Sequence, residues 1–336
     1  MCGIYSIFTN SKLIKNKNIH KNHPRGPDDY TEITDDSSYF IGFHRLKVVG
    51  VKSGQQPFVK NNIELVCNGE IYNHKELKNK YNFETNTNSD CEVLLNLYIK
   101  FGIQQAVRML DGEFAFVLHD KNTNQVHFGR DSIGVKPLYW TVISSQEDMH
   151  KYDTLEISSL IKSMMHQKNV IHVLPNFIYT YDKQSYTICA LDYNVIIYKG
   201  MGNKLQDEEN VYWSLKNAVA KRITQSEVPI GFLLSGGLDS SIILSLALSC
   251  GIKKPKVFTF GFDKNAPDVI SATIFVNWLK KKYGDDCIDW HLVIQPITDG
   301  IDAINEVIYH LETYDTTTIR ASVPMYLISK YISSQT

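Results

Sequence analysis

Two unlike halves are expected along this chain of 336 residues: a strand-rich α+β half, then an α/β half built on a parallel sheet. Three observations carry that expectation. Before residue 195, short apolar runs are joined by turn signals, as where Phe114–His119 and Val126–Phe128 flank Asp120-Lys121-Asn122-Thr123-Asn124 in a hairpin pattern. From Val228 onward, strand-length apolar runs alternate with helix-length ones, the pattern of parallel strands connected by helices. Between the two, Tyr198–Asp207 carries two glycines and turns polar. The boundary is therefore set near residues 195 to 206, with domains at 2–195 and 207–336.

Composition narrows the class. Hydrophobic residues make up 43% and charged residues 21%, an ordinary soluble globular balance, and a formal net charge of -1 gives no electrostatic pull toward nucleic acid or an acidic membrane surface. No apolar run is long enough to span a bilayer, and the N-terminus lacks the basic and apolar regions of a signal peptide. A cytoplasmic protein with no membrane partner is expected. The six cysteines (Cys2, Cys67, Cys91, Cys189, Cys250, Cys287) show no CxxC or Cys/His clustering, which argues against a disulfide framework or structural zinc and for a reducing compartment.

Met1-Cys2-Gly3-Ile4 opens the first half. A small second residue permits removal of Met1, which leaves Cys2 with a thiol and a free α-amine. That amine titrates at about pH 8 and can serve as the nucleophile's own base. His23-Pro24-Arg25-Gly26-Pro27-Asp28 reads as a turn-rich loop, Phe40–Val49 as a strand with Arg45 near its end, and Ile63–Cys67 as a strand closed by Asn68-Gly69-Glu70. Asn73 with Glu76, and Ser89 with Glu92, read as capping boxes. The first helix runs to about Tyr81; the second turns Leu94, Leu95 and Tyr98 inward and stops at Gly102. Gly129–Tyr139 ends the hairpin, Leu155–His166 starts as a strand end and becomes helical, and Ile171–Asp192 forms strands around Pro175.

In the second half Asp207 can cap a helix whose apolar positions Val211, Leu215, Ala218 and Val219 follow the helical period. Val228–Leu234 is a strand that breaks on Gly236 and Gly237, and Ile242–Cys250 is a helix closed by Gly251. Strands at Lys256–Phe260 and Trp290–Ile294 flank a helix at Ser271–Tyr283, and Thr298–Glu312 is a further helix. A strand, a glycine turn and a helix N-terminus aim unpaired N–H groups and the helix dipole at one point, which makes an anion site of the Phe232–Ser241 stretch. Ser235, Ser240 and Ser241 add hydroxyls there, and Asp239 can hold a metal ion that bridges phosphates. The spacing matches neither the P-loop nor the dinucleotide fingerprint. Farther on, Glu312–Ser322 sets a dense run of hydroxyls around Arg320, which suits recognition of a small carboxylate.

Taken together these motifs resemble known families. Met1-Cys2-Gly3-Ile4, Arg25-Gly26-Pro27-Asp28, His44-Arg45-Leu46, Gln56-Pro57, Asn68-Gly69-Glu70-Ile71-Tyr72-Asn73, Ser89-Asp90 and Gly129-Arg130-Asp131 resemble the class II glutamine amidotransferases. That resemblance implies an N-terminal-nucleophile hydrolase domain of four αββα layers. It makes Cys2 the nucleophile and Asn68 with the Gly69 backbone N–H the oxyanion hole. Arg45 would grip the substrate carboxylate, Val48 and Val49 would line the site through backbone groups, and Glu70 and Asp90 would hold the substrate ammonium. Where the family usually has His before Arg-Gly-Pro-Asp, this chain has Pro24.

Ser235-Gly236-Gly237-Leu238-Asp239-Ser240 resembles the pyrophosphate loop of the ATP pyrophosphatases, which implies ATP contacts from Leu234, Ser235, Gly236, Gly237, Asp239, Ser240 and Phe260. The two modules in this order resemble the glutamine-hydrolysing asparagine synthetase family. That implies glutamine, aspartate and ATP with Mg²⁺ as small-molecule partners, no prosthetic group, and Thr317, Thr318 and Arg320 on the aspartate side. It assigns no metal ligands and leaves a homodimer open. Ammonia released at Cys2 would pass to a β-aspartyl adenylate made at the loop. The family's Ser-Gly-Glu-Gly-x-Asp-Glu segment does not occur among these residues. The second domain is therefore read as incomplete, with an exposed sheet face and edge, the chain as truncated, and glutaminase as the activity kept. A β-lactam-synthetase-like ligase and a non-catalytic glutamine- or partner-binding module are the alternatives.

Overall fold

The computed structural model describes residues 1–10, 17–35, 37–144, 152–164, 167, 169–193 and 204–335. Most of the 195–206 boundary lies outside the described residues. The chain divides into two compact units, Met1–Gly200 and Met201–Thr336.

The first unit grows around a strand that the apolar pattern does not reveal. β1 (Gly3–Thr9) is buried along its whole length, so no polar face marks its period. A 3-10 stretch over Lys17–Arg25 follows, then β2 (Asp29–Thr34), β3 (Tyr39–Arg45), β4 (Phe58–Lys60) and β5 (Ile63–Ile71). Next come α1 (His74–Tyr81), α2 (Glu92–Phe101), α3 (Ile103–Arg108), β6 (Gly112–Asp120), β7 (Gln125–Arg130), β8 (Tyr139–Ser144) and β9 (Tyr152–Ser158). A 3-10 turn at Ile161–Met164 and strands β10 (Ile171–His172), β11 (Phe177–Asp182) and β12 (Thr187–Asp192) complete the unit.

The strands form two six-stranded sheets, ordered β10-β8-β9-β1-β3-β2 and β12-β11-β7-β6-β5-β4. Their ladders are antiparallel. Alternate side chains of β1 point opposite ways. Ile4 and Phe8 meet Val66, Val117 and Phe128 of the other sheet, whereas Tyr5 and Ile7 pack outward with Ile19, Phe40 and Met164. On the far face of the second sheet, Leu65, Cys67 and Phe116 pack under Leu94, Leu97 and Val107 of the helices. The four-layer arrangement is as expected, except that among the described residues 3-10 turns rather than α-helices cover the β1 sheet.

Several local expectations are corrected. Asn68-Gly69-Glu70 does not close β5: the strand runs on to Ile71, paired with β6 throughout. His23–Arg25 belongs to the 3-10 stretch, with Pro24 inside it. Neither capping box forms. The Asn73 amide accepts from Asp111 N–H (3.0 Å) and donates to the Met109 carbonyl (2.8 Å), tying α1 to the loop before β6. Glu92 turns back to accept from the N–H groups of Asn86 (2.7 Å) and Thr87 (2.8 Å), which fixes the loop before α2.

The second unit holds α4 (Lys204–Gln225), β13 (Gly231–Leu233), α5 (Leu238–Ser249), β14 (Lys256–Gly261), α6 (Pro267–Tyr283), β15 (Asp289–Ile294), α7 (Ile297–Asp302), α8 (Ile304–Leu311) and α9 (Thr316–Ser334). Strands β13, β14 and β15 pair in parallel in that order, as the strand–helix alternation predicts. The helix expected at Thr298–Glu312 is two, broken at Ala303. Most of the Glu312–Ser322 run is helical: α9 starts at Thr316 with the Asp315 carboxylate accepting from Thr318 N–H (2.7 Å). On α4 the helical period does not seat its apolar side chains: Val219 is buried, but Val211 and Trp213 are exposed. Leu233 and Leu292 on the two outer strands are also exposed.

Candidate active site

Cys2 sits where the chain enters β1, beside the end of β3, because Gly3 pairs with His44 in the ladder. Its sulfur accepts from Leu46 N–H at 3.3 Å and faces the Leu46 carbonyl at 3.7 Å. The Cys2 carbonyl accepts from Arg25 Nε at 2.9 Å. Gly26 follows Arg25 at a point where a Cβ would lie 2.3 Å from the His44 carbonyl oxygen, so only glycine lets this loop close on β3. Asp28 completes the strap: its N–H donates to the Arg45 carbonyl (3.1 Å) and its carboxylate accepts from Lys47 N–H (2.7 Å). Burial pushes the Cys2 thiol up, partly offset by the Leu46 N–H and the chain's terminal amine. A thiol in that state holds its proton near neutral pH and needs an adjacent base to attack.

Arg45 ends β3 and is buried, 4% exposed. Its Nη2 donates to the carbonyls of Gly50 (2.7 Å) and Val49 (3.2 Å), while Nη1 has no partner. Gly54 makes room for it, since a Cβ there would stand 2.2 Å from Nη2. The Gly50 turn abuts Asn88 and Ser89, so the arginine's anchor touches the segment that carries Asp90. On β5, Asn68 is buried with its Nδ2 unpaired. Gly69 beside it has no room for a side chain, because a Cβ would meet the Glu113 carbonyl at 2.2 Å. The Gln56 side chain exchanges two hydrogen bonds with the Cys67 backbone (3.0 and 2.7 Å) and so holds this end of β5 in place. Buried donors left without acceptors are rare in folded proteins, and Arg45 and Asn68 each present one.

The acidic side of the site is short of positive charge. Burial, then the neighbouring Asp90, push Glu70 up to about 8, with Lys136 working against them. Asp90 is raised by its own burial, though its Oδ2 accepts from Ile71 N–H at 2.5 Å. Neighbouring carboxylates, one buried and one half-buried, resist being ionised together, and a cation beside them would relieve that. Glu70 also acts on the Cys2 thiol and on the terminal amine, which places β5 and the nucleophile in one neighbourhood. Arg130 and Asp131 lie apart from this chemistry. Asp131 accepts from the N–H groups of Phe114, Ile133, Gly134 and Val135, and Arg130 donates to the carbonyls of Lys136 and Val173.

In the second unit Ser235–Ser240 spans the turn after β13 and the first residues of α5, at the C-terminal end of a parallel strand where such sheets bind ligands. Gly236 has φ +75°, and a Cβ there would meet Ala272 N at 2.3 Å, so the turn requires glycine. Ser235 Oγ lies 3.2 Å from Ser240 Oγ and accepts from Gly237 N–H at 3.3 Å. Leu234 is buried beneath the turn, its carbonyl accepting from the Thr259 hydroxyl (2.8 Å), while Asp239 is exposed. Phe260 packs with Val323 and Leu327 of α9. Arg320 lines a cavity of about 410 Å³ with Phe262, Ile297, Ile301 and Ile319, a largely apolar setting. Thr317 and Thr318 are exposed in the first turn of α9. Among the described residues no hydrogen bond joins Thr317, Thr318 or Arg320 to the Ser235–Ser240 turn.

Residues 1–193 match the family model described as a glutamine amidotransferase domain. The chain belongs to the glutamine amidotransferase family. Residues 210–336 match the model described as asparagine synthase. The chain is 35% identical over 366 residues to an asparagine synthetase [glutamine-hydrolyzing] of Cricetulus griseus, across 100% of this chain and 64% of that protein. It is 35% identical to a probable asparagine synthetase of Dictyostelium discoideum, across 99% of this chain and 62% of that one. A probable asparagine synthetase of Acanthamoeba polyphaga mimivirus is 34% identical, across 95% and 60%. The chain thus spans a little under two thirds of the length of these relatives. A solved glutamine phosphoribosylpyrophosphate amidotransferase from B. subtilis aligns with 77% of this chain and 75% of its own at TM-score 0.48 and 16% identity.

Sequence reasoning about this amidotransferase unit passed over four contributors. Leu46 and Gly50 act through backbone groups, and Gly54 through a missing side chain. Lys136, inside the run that ends the hairpin, is an ordinary lysine until the fold sets it against Glu113, the cross-strand partner of Glu70. Of the four, Gly50 and Gly54 had a visible signal, glycines that follow the arginine in a turn.

Proposed function

We propose that this chain hydrolyses the side-chain amide of glutamine at Cys2, and that the protein uses the ammonia for ATP-dependent amidation of aspartate. The reading is carried by one observation: around Cys2, two buried donors without an acceptor and a pair of neighbouring carboxylates match the groups of an α-amino acid with a side-chain amide. Arg45 Nη1 lacks the carboxylate, Asn68 Nδ2 lacks the oxygen, and Glu70 with Asp90 lacks the ammonium.

With Met1 removed, the α-amine of Cys2 takes the thiol proton and the sulfur attacks the amide carbon. Asn68 Nδ2 and the Gly69 N–H receive the developing oxyanion. Collapse expels ammonia, protonated by the same amine, and leaves a thioester that water cleaves to glutamate. Arg45, with Val48 and Val49 along the wall, and Glu70 with Asp90 hold the two ends of the substrate throughout.

For the second reaction the Ser235–Ser240 turn would receive the phosphates of ATP, with Leu234 and Phe260 near the nucleotide and Asp239 facing the Mg²⁺ that arrives with it. Thr317, Thr318 and Arg320 would serve aspartate. Among the described residues no group of three or more His, Cys, Asp or Glu side chains is placed to hold a metal. For residues 1–336 themselves we assign the glutaminase half, with weak binding of ATP or pyrophosphate at the turn.

The experiment is glutamate release from glutamine without ATP, compared with Arg45→Ala. Arg45 meets the carboxylate equally in ground and transition state, so its loss should raise KM far more than it lowers kcat. A variant with unchanged KM and depressed kcat would remove Arg45 from the binding role.

A further inference from the structure

Glu70 on β5 and Glu113 on β6 are direct cross-strand partners, so two carboxylates stand side by side on one face of the sheet. Like charges so placed repel. Asp90, from the segment before α2, adds a third. The groups acting on Glu70 are Asp90, Glu113 from β6, Lys136 from the turn after β7, and the terminal amine at the start of β1. Lys136 is thus the side chain that brings positive charge to the cluster. It is 8% exposed, an unusual burial for lysine, and its Nζ lies 3.8 Å from Glu113 Oε1. Its backbone is fixed, because its carbonyl accepts from Arg130 Nε at 2.6 Å. Glu113 is fixed as well, accepting from the Tyr72 hydroxyl at 2.6 Å.

We infer that Lys136 is a positioning residue for the amino-acid substrate: with Glu113 it forms a built-in ion pair that balances part of the acidic cluster and leaves Glu70 and Asp90 to be completed by the α-ammonium of glutamine. The inference rests on the proposed reading of this pocket as the glutamine site. The known roles of an amidotransferase nucleophile and oxyanion hole do not require it, and it explains why a lysine is buried beside the end of the substrate that carries its ammonium.

The sign of the effect follows from the charges. Lys136 favours the ionised form of Glu70, whereas Glu113 opposes it. Without Lys136 the cluster keeps its proton to higher pH and grips the ammonium less well at neutral pH. Without the Glu113 charge the reverse holds.

The test is glutamine hydrolysis against pH for the wild type, Lys136→Met, Lys136→Arg and Glu113→Gln. Lys136→Met should raise KM for glutamine about tenfold or more near pH 7, with a smaller change in kcat, and the gap should narrow as the pH rises. The acid limb of its kcat/KM profile should move upward by about a pH unit, the shift that matches a tenfold loss. Lys136→Arg should restore the profile, and Glu113→Gln should move the limb downward.

Loss of activity by the same factor at every pH, or equal limbs in Lys136→Met and the wild type, would overturn the inference. So would an upward shift in Glu113→Gln, the arm that decides the matter if Lys136→Met does not fold. A wild type that fails to hydrolyse glutamine overturns the proposed function instead, and this inference with it.

Discussion

Cys2→Ala is expected to lower glutamine hydrolysis by at least about 10⁴-fold, the scale on which removal of a covalent nucleophile acts when the rest of the site stays intact. The substitution takes away the sulfur that receives Leu46 N–H but leaves the Cys2 carbonyl bound to Arg25 and the β1 ladder in place. Glutamine should therefore still bind, held by Arg45 at one end and by Glu70 and Asp90 at the other. A variant that binds glutamine near the wild-type Kd and does not turn it over separates chemistry from recognition. Residual hydrolysis at more than about a hundredth of the wild-type rate would mean that another group attacks the amide.

Asn68→Ala is expected to cost on the order of 10²–10³ in kcat with little change in KM, the usual effect of removing one oxyanion donor. Asn68 is buried in the middle of β5, where its backbone is held by β6 and, through Cys67, by Gln56. The alanine variant should keep that strand, so the loss belongs to the transition state rather than to the fold. It removes a buried donor that has no partner in the free enzyme, and folding stability should change little or rise. A large KM effect with kcat intact would assign Asn68 to ground-state binding and exchange its role with that of Arg45.

How much of this was legible in the sequence depended on whether a residue's chemistry was its own or came from its surroundings. Cys2, Arg45 and Asn68 could be named as candidates from motifs because each carries a distinctive side chain. The Gly236 turn could be read for the same reason, since no other residue tolerates its φ and its approach to Ala272. β1 was not legible: a strand buried on both faces shows no alternation, and Ser6 and Thr9 interrupt its apolar run. The extent of β5 was misread because Asn68-Gly69-Glu70 looks like a turn, whereas pairing with β6 holds it extended. Glu92 and Asn73 fitted a capping pattern but were drawn to nearby loops, a choice that tertiary contacts make. Lys136 and Glu113 gain their meaning only where β5, β6 and the turn after β7 converge. On α4 the apolar period was present in the sequence, yet Val211 and Trp213 remain exposed, so periodicity alone did not say what covers them.

The most direct test of the amidotransferase reading is covalent labelling of the purified chain with a glutamine analogue that carries an electrophilic carbon in place of the amide, followed by intact mass and peptide mapping. One adduct is predicted, on Cys2 as the first residue of a chain that has lost Met1. It should be suppressed by excess glutamine, slowed in Arg45→Ala and absent in Cys2→Ala. A chain that retains Met1 and still releases glutamate at full rate, or an adduct on another cysteine that glutamine protects, would contradict the account.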